Sequence, residues 1–162
     1  MTTFRKLALA LAVAATAAVA TAASGSAQDR APQTLLFLSV QQSFMMVPQA
    51  SRTAPPQVGG RLIFTDAMYN RVAQFGKPAG ARVGTAEGVC TLVGIGKAQC
   101  VVTAHVPDGQ IVAIGAMALR RGLGTSRFAI AGGAGAYGSA RGTVTSRDVS
   151  QSRTLVDLDL SA

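Results

Sequence analysis

Tryptophan is missing from this chain of 162 residues, tyrosine and cysteine occur twice each, and histidine once. Acids are scarce too, with 7 Asp and Glu against 15 Lys and Arg, a formal net charge of +8. Each shortage excludes something. Single-stranded nucleic acid is held by aromatic platforms interleaved with basic side chains. Here Arg52, Arg61, Arg71, Arg82, Arg120, Arg121, Arg141, Arg147 and Arg153 are scattered, without a run or interleaved aromatics. The positive balance therefore reads as a solvated basic surface, and no nucleic-acid partner is expected. One imidazole and two thiols fall short of the ligand set of a structural zinc, so no metal site is expected. No G-x-S-x-G elbow accompanies His105, which removes the commonest hydrolase arrangement.

The N-terminus carries a long apolar run. Arg5 and Lys6 precede an Ala/Leu/Val stretch from Leu7 to Ala23, and Gly25-Ser26-Ala27 offers small residues to a signal peptidase, with Ala20-Thr21-Ala22 as the alternative site. This is the layout of a secretory signal. The stretch is short and alanine-rich for a membrane span, and no Arg-Arg pair marks the twin-arginine route. Residues 1–27 are expected to be a cleaved signal peptide, 28–33 a leader, and 34–162 one domain. The mature protein is expected to be secreted (extracellular), with no stable membrane insertion. Losing Arg5 and Lys6 leaves 13 Lys and Arg against 7 acids, net +6.

That domain reads as strands and turns. Strands are expected at Thr34–Val47, Arg61–Asn70, Ala81–Val93, Ala98–Val106, Gln110–Leu119, Ser126–Ala131, Ala140–Arg147 and Arg153–Ser161. A Pro-rich linker, Pro48 to Gly60, joins the first two, and Pro107-Asp108-Gly109 supplies a turn of known mechanism. Eight short strands with hairpin-length connections predict an all-β fold, an eight-stranded antiparallel β-barrel, with a sandwich as the other solution. An eight-stranded barrel has room for its own side chains or one small ligand.

Gly133, Gly135 and Gly138 spell G-x-G-x-x-G. A dinucleotide site needs a helix opening on that motif. The residues that follow, Ala140-Arg141-Gly142-Thr143-Val144-Thr145, are β-branched and glycine-broken instead. The glycines are read as a tight connection where two strands approach closely, and no cofactor is expected.

The same stretch carries a resemblance. "FAIAGGAGAYGSARGTV" (Phe128–Val144) resembles the glycine-rich hairpin of allene oxide cyclase barrels and dirigent proteins. "GGRLIFTDAMYN" (Gly59–Asn70) is similar to the second-strand motif F-T-N-x-L-Y of the plant cyclases, and "RVGTAEGVCTLV" (Arg82–Val93) to their third strand. Order and spacing agree from Gly59 to Leu160. The resemblance implies an eight-stranded barrel, an apolar intermediate held in its cavity, and a homo-oligomer (dimer or trimer) as an option. It also marks departures. Asp66 stands where the cyclase motif has asparagine, Ser39 near its first-strand glutamate, Gln41 near a neighbouring asparagine, and Arg127 where dirigent proteins carry an acid.

Alternation places Asp66 on the apolar, inward face with Leu62, Phe64 and Met68, the other reading being a bulge or register slip that turns it outward; facing in, the carboxylate needs a partner. Arg141 and Tyr69 are the candidates, although alternation turns Tyr69 to the other face. Cys90 and Cys100 flank a turn centred on Ile95, opposite each other in a symmetric hairpin and within disulfide reach. Export favours that disulfide; the alternative is two thiols, with Cys90 lining the cavity as the matching cysteine does in the cyclases. The expected site is Asp66 as catalytic residue, with Ser39, Gln41, Phe64, Tyr69, Cys90 and Arg141 lining the cavity. Two functions stand. One is a cyclase- or dirigent-like barrel that binds a hydrophobic small molecule and steers its cyclisation or coupling, an isomerase-type activity without cofactor. The other is a non-catalytic ligand-binding or structural barrel.

Overall fold

Inward residues spaced by two along every strand dictate how the chain closes. In the third strand Ala86, Gly88, Cys90 and Leu92 are buried, and in the fourth Ala98, Cys100, Ala104 and Val106, while the residues that alternate with them face solvent or lie half-buried. A strand with one apolar face must lay it against others, and closing the sheet also removes the exposed edges. The computed structural model describes residues 33–48, 57–119 and 122–161. The expected signal peptide, most of the leader and part of the Pro-rich linker lie outside the described residues.

Eight strands form one closed antiparallel barrel: β1 (Gln33–Val47), β2 (Arg61–Asn70), β3 (Arg82–Gly94), β4 (Lys97–Val106), β5 (Gly109–Ala118), β6 (Thr125–Gly135), β7 (Arg141–Ser150) and β8 (Arg153–Ser161). Each strand pairs with its neighbours in sequence, and β1 pairs with β8 from Gln33↔Leu160 to Val40↔Arg153, which seals the barrel. This is the eight-stranded barrel that the turn spacing predicts.

Two strands run past their expected ends. β6 continues through Gly132 and Gly133 to Gly135, so the glycine stretch is mostly ladder, and the connection is only Ala136 to Ala140. Ala131 is the extra residue of a bulge, since Val112 pairs Gly132 while Ala113 pairs Ile130. The glycines permit this because β5 presses on them. A Cβ on Gly133 would overlap the Gln110 carbonyl oxygen, which leaves glycine as the residue that fits. β7 likewise extends through Asp148 and Val149 to Ser150, still paired with β8 at Asp148↔Thr154 and Ser150↔Arg153.

One end of the barrel, where the β2–β3, β4–β5 and β6–β7 connections lie, is filled by the chain itself. Phe37, fully buried, stacks on Phe75 of the β2–β3 loop with ring centroids 6.1 Å apart and planes 13° from parallel. Phe75 sits at φ 57°, an unusual conformation for a bulky residue, held by the network around it. Buried Asn70 donates from Nδ2 to the carbonyls of Gln74 (2.9 Å) and Lys77 (3.2 Å) and accepts from Gln74 Nε2 (3.0 Å). Gln74 in turn donates to the Leu36 carbonyl at 2.9 Å and accepts from the Leu36 amide at 3.2 Å, clamping the loop to β1. Buried Tyr137 sits in the β6–β7 connection at the same end.

Candidate active site

Above this plug the barrel encloses a cavity of about 200 Å³. Its walls differ. From β3, β4 and β5 come Ala86, Cys90, Cys100, Val102, Ala104, Ile111, Ala113 and Met117, all apolar. From β2, β1, β8 and β7 come Asp66, Ser39, Thr154 and Asp148, with Phe64, Met68, Val144, Val156 and Leu158 filling between them.

Backbone register assembles the four polar groups. Ser39 pairs with Thr154 across the β1–β8 seam, and Asp148 pairs with Thr154 across β7–β8. Ser39 Oγ donates to Asp66 Oδ2 at 2.7 Å, and Thr154 Oγ1 donates to Asp148 Oδ1 at 3.0 Å. The Gly124 amide adds a second donor to Asp148, at Oδ2, 3.2 Å away. The result is two hydroxyl–carboxylate pairs side by side on adjoining strands. Paired hydroxyls let carboxylates enter an apolar interior, where an unpartnered charge would be too costly.

Asp66 is half-buried, and its pKa is raised from 3.8 chiefly because burial disfavours the charged form; the Ser39 hydrogen bond opposes this and lowers it. A carboxyl so placed holds its proton to higher pH than an exposed one. It can donate a hydrogen bond or proton to a bound molecule and take one back. Phe64 sets the wall beside it. Its ring lies across Gly88, its β3 register partner, where any Cβ would overlap the ring.

The expected site residues separate into two groups. Asp66, Ser39, Phe64 and Cys90 lie on the cavity wall. Gln41, Tyr69 and Arg141 are not among the lining residues, and each has a local reason. Gln41 sits where the β1–β2 register slips, and its amide bonds the Ser152 carbonyl. Tyr69 follows inward Met68 and so faces away. Arg141 is exposed at the start of β7, and its guanidinium donates to the Ala140 carbonyl at 2.8 Å. The partner of Asp66 is thus Ser39 rather than Arg141 or Tyr69. Cys90 and Cys100 are register partners joined by a disulfide with Cα atoms 3.9 Å apart, and both sulfurs' residues line the cavity. His105 pairs Thr85 and Gln110 away from the lining. Among the described residues no cluster of His, Cys, Asp and Glu could hold a metal ion.

Asp148, Thr154, Ser146 and Ser126 are lining residues that the sequence reading missed. The signal was present. Val144 is inward, so alternation sends Ser146 and Asp148 the same way; Asp157 and Asp159 alternate outward, which turns Thr154 in with Val156 and Leu158.

No family model matches the chain, and no curated protein matches it in sequence. Solved structures match its fold. Pyocyanin demethylase superposes with a TM-score of 0.61 at 23% identity, over 80% of this chain and all of that one (100%). An exo-specific intermolecular Diels-Alderase gives 0.64 at 15%, over 82% and 100%. A pterocarpan synthase dirigent protein gives 0.59 at 17%, over 94% and 96%. At such identities the likeness speaks for the fold: the chain has the barrel common to dirigent and Diels-Alderase proteins, the one that its motifs' resemblance to the allene oxide cyclase and dirigent-like superfamily implies.

Proposed function

We propose that this protein is a secreted barrel that holds a hydrophobic small molecule or reactive intermediate in its cavity and steers its cyclisation or coupling. The observation that carries the reading is the Asp66–Ser39 pair on the polar side of a barrel cavity whose β3–β5 side is wholly apolar. Confinement of a flexible or reactive molecule lowers the entropy cost of reaching the product geometry, and such positioning alone can be a large rate effect. Asp66 adds a proton donor or acceptor whose strength burial has tuned. The apolar wall of β3–β5 supplies shape; the polar wall supplies orientation. The fold neighbours with cyclising and coupling names support the same reading.

The binding step is tested with the mature protein carrying ¹³C-labelled methionine methyls and indole as a neutral apolar probe. Met68 and Met117 line the cavity, whereas Met45 is exposed on the outer face. Saturable shifts at Met68 and Met117, with Met45 unmoved, are expected. No shift at either cavity methionine overturns the reading. Export is checked by N-terminal sequencing of the product released by expressing cells, which should begin at Gln28 or Ala23; an intact Met1 on the released protein would count against the signal.

A further inference from the structure

The charge of the cavity is opposite to that of the chain. The protein carries +8 overall, yet the ionisable residues lining the cavity are Asp66 and Asp148, and no Lys, Arg or His among the described residues joins them. The basic residues on the same strands face outward: Arg147 precedes Asp148, Arg153 precedes Thr154, and Arg127 follows Ser126, and all three are exposed. Strand alternation enforces this, since a residue next to an inward one must point out. Asp66 on β2 and Asp148 on β7 flank β1 and β8, whose register partners Ser39 and Thr154 hydrogen-bond them, and this polar side of the barrel faces the uncharged wall of β3, β4 and β5.

We infer that the cavity selects a compact ring-bearing molecule with a cationic nitrogen, its ring against the β3–β5 wall and its nitrogen on the Asp66–Asp148 stripe, and rejects carboxylates. This rests on the reading that the cavity binds a small molecule, and narrows it to a substrate class. Size sets the first limit. An apolar cavity of about 150 Å³ accommodates benzene, so about 200 Å³ takes one substituted ring inside the barrel. Electrostatics sets the second. In a partly dehydrated site a carboxylate ligand would meet acidic groups and no counter-charge, whereas an ammonium or ring-nitrogen cation would meet carboxyl acceptors already held in place. Gly124 and Thr154 already orient Asp148 without a ligand, so the cation would meet a preformed acceptor.

Three probes of nearly equal size separate the terms: benzylammonium, benzyl alcohol and benzoate, each titrated into the mature protein by calorimetry and followed at the Met68 and Met117 methyls. Benzylammonium is expected to bind at least about tenfold tighter than benzyl alcohol, a difference of about 1.4 kcal/mol, and benzoate to show no saturable binding. In Asp66→Asn with Asp148→Asn, checked as folded by circular dichroism, the preference for the cation over the alcohol should fall to within about threefold. Each single replacement is measured as well, so that failure of the double variant to fold leaves the comparison intact. Binding of benzoate as tight as the alcohol, or a cation preference unmoved by the Asn replacements, overturns the charge selection while leaving a binding cavity. Absence of binding by all three probes overturns the cavity reading and this inference together.

Discussion

Ser39 Oγ donates a 2.7 Å hydrogen bond to Asp66 Oδ2 across the β1–β2 pair, and the two residues do not share a register line: Ser39 pairs with Met68, and Asp66 with Gln41. The hydroxyl therefore reaches diagonally along the cavity wall. It is the one group that holds the Asp66 pKa down against a larger desolvation that raises it.

The pH dependence follows from that balance. A carboxyl with a raised folded-state pKa binds its proton more tightly in the native protein than in the unfolded chain. Stability is therefore greatest below the unfolded value and falls as pH rises through the folded one. Asp66→Asn removes the titration while keeping an acceptor for Ser39. Its melting temperature relative to the native chain should rise with pH from the ordinary carboxylate range upward and then level off. Thermal scans from roughly pH 3 to pH 8 check this; a flat difference would show that Asp66 carries no desolvation cost.

Ser39→Ala acts on the same pair from the other side. Ser39 is 4% exposed, so the loss leaves Asp66 without its donor in a site that water enters poorly. The cost at neutral pH should be about 1–2 kcal/mol. The Asp66 midpoint, followed by carboxyl-carbon NMR, should move further up, because only the lowering contribution has gone. A fall in that midpoint would contradict the assignment of Ser39 as the stabilising partner.

How much of this was legible in the sequence depended on what each residue answers to. Barrel class, strand number and the Cys90–Cys100 pairing follow from alternation and turn spacing, which are local signals repeated along the whole chain. The polar stripe was half legible. Asp66 announced itself on an apolar strand face, whereas Asp148 lies beside Arg147 in a polar segment and looks like surface until the inward phase is carried forward from Val144. That Ser39, and not Arg141 or Tyr69, is the partner of Asp66 was not legible, because the choice among donors depends on which strand lies alongside. β1 brings Ser39 within reach; β7 turns Arg141 outward. The Phe75–Phe37 plug also escaped, since a loop residue at positive φ depends on the Asn70–Gln74 network and not on any periodic pattern.

The glycine stretch makes a sharp contrast within six residues. A Cβ on Gly133 would overlap the backbone of β5 at Gln110, and backbone there cannot yield. Gly138 has only the Gly135 carbonyl at 3.6 Å, an ordinary contact. Gly133→Ala should therefore cost more than about 2 kcal/mol, and Gly138→Ala less than about 1 kcal/mol. Urea unfolding of the two variants decides it. Equal tolerance at both sites would mean that β6 does not press on β5 as described, and that the glycines serve something other than strand approach.

The disulfide joins register partners ten residues apart on β3 and β4 and forms part of the cavity wall. It closes a short loop, so its effect on the unfolded chain is modest: about 2–3 kcal/mol. The mature protein should be two hydrogens lighter without reductant than with it. Cys90→Ala with Cys100→Ala should lower stability by that amount and leave the hairpin in register, because Ala98 and Leu92 beside the pair are buried and fix which face points inward. The cavity should widen where two sulfurs are lost, and the Met117 methyl, which lines the same wall, should report it by a changed chemical shift in the unliganded protein. Unchanged stability together with rapid alkylation of both thiols in the unreduced native protein would remove the disulfide from the account and leave Cys90 and Cys100 as a pair of buried thiols.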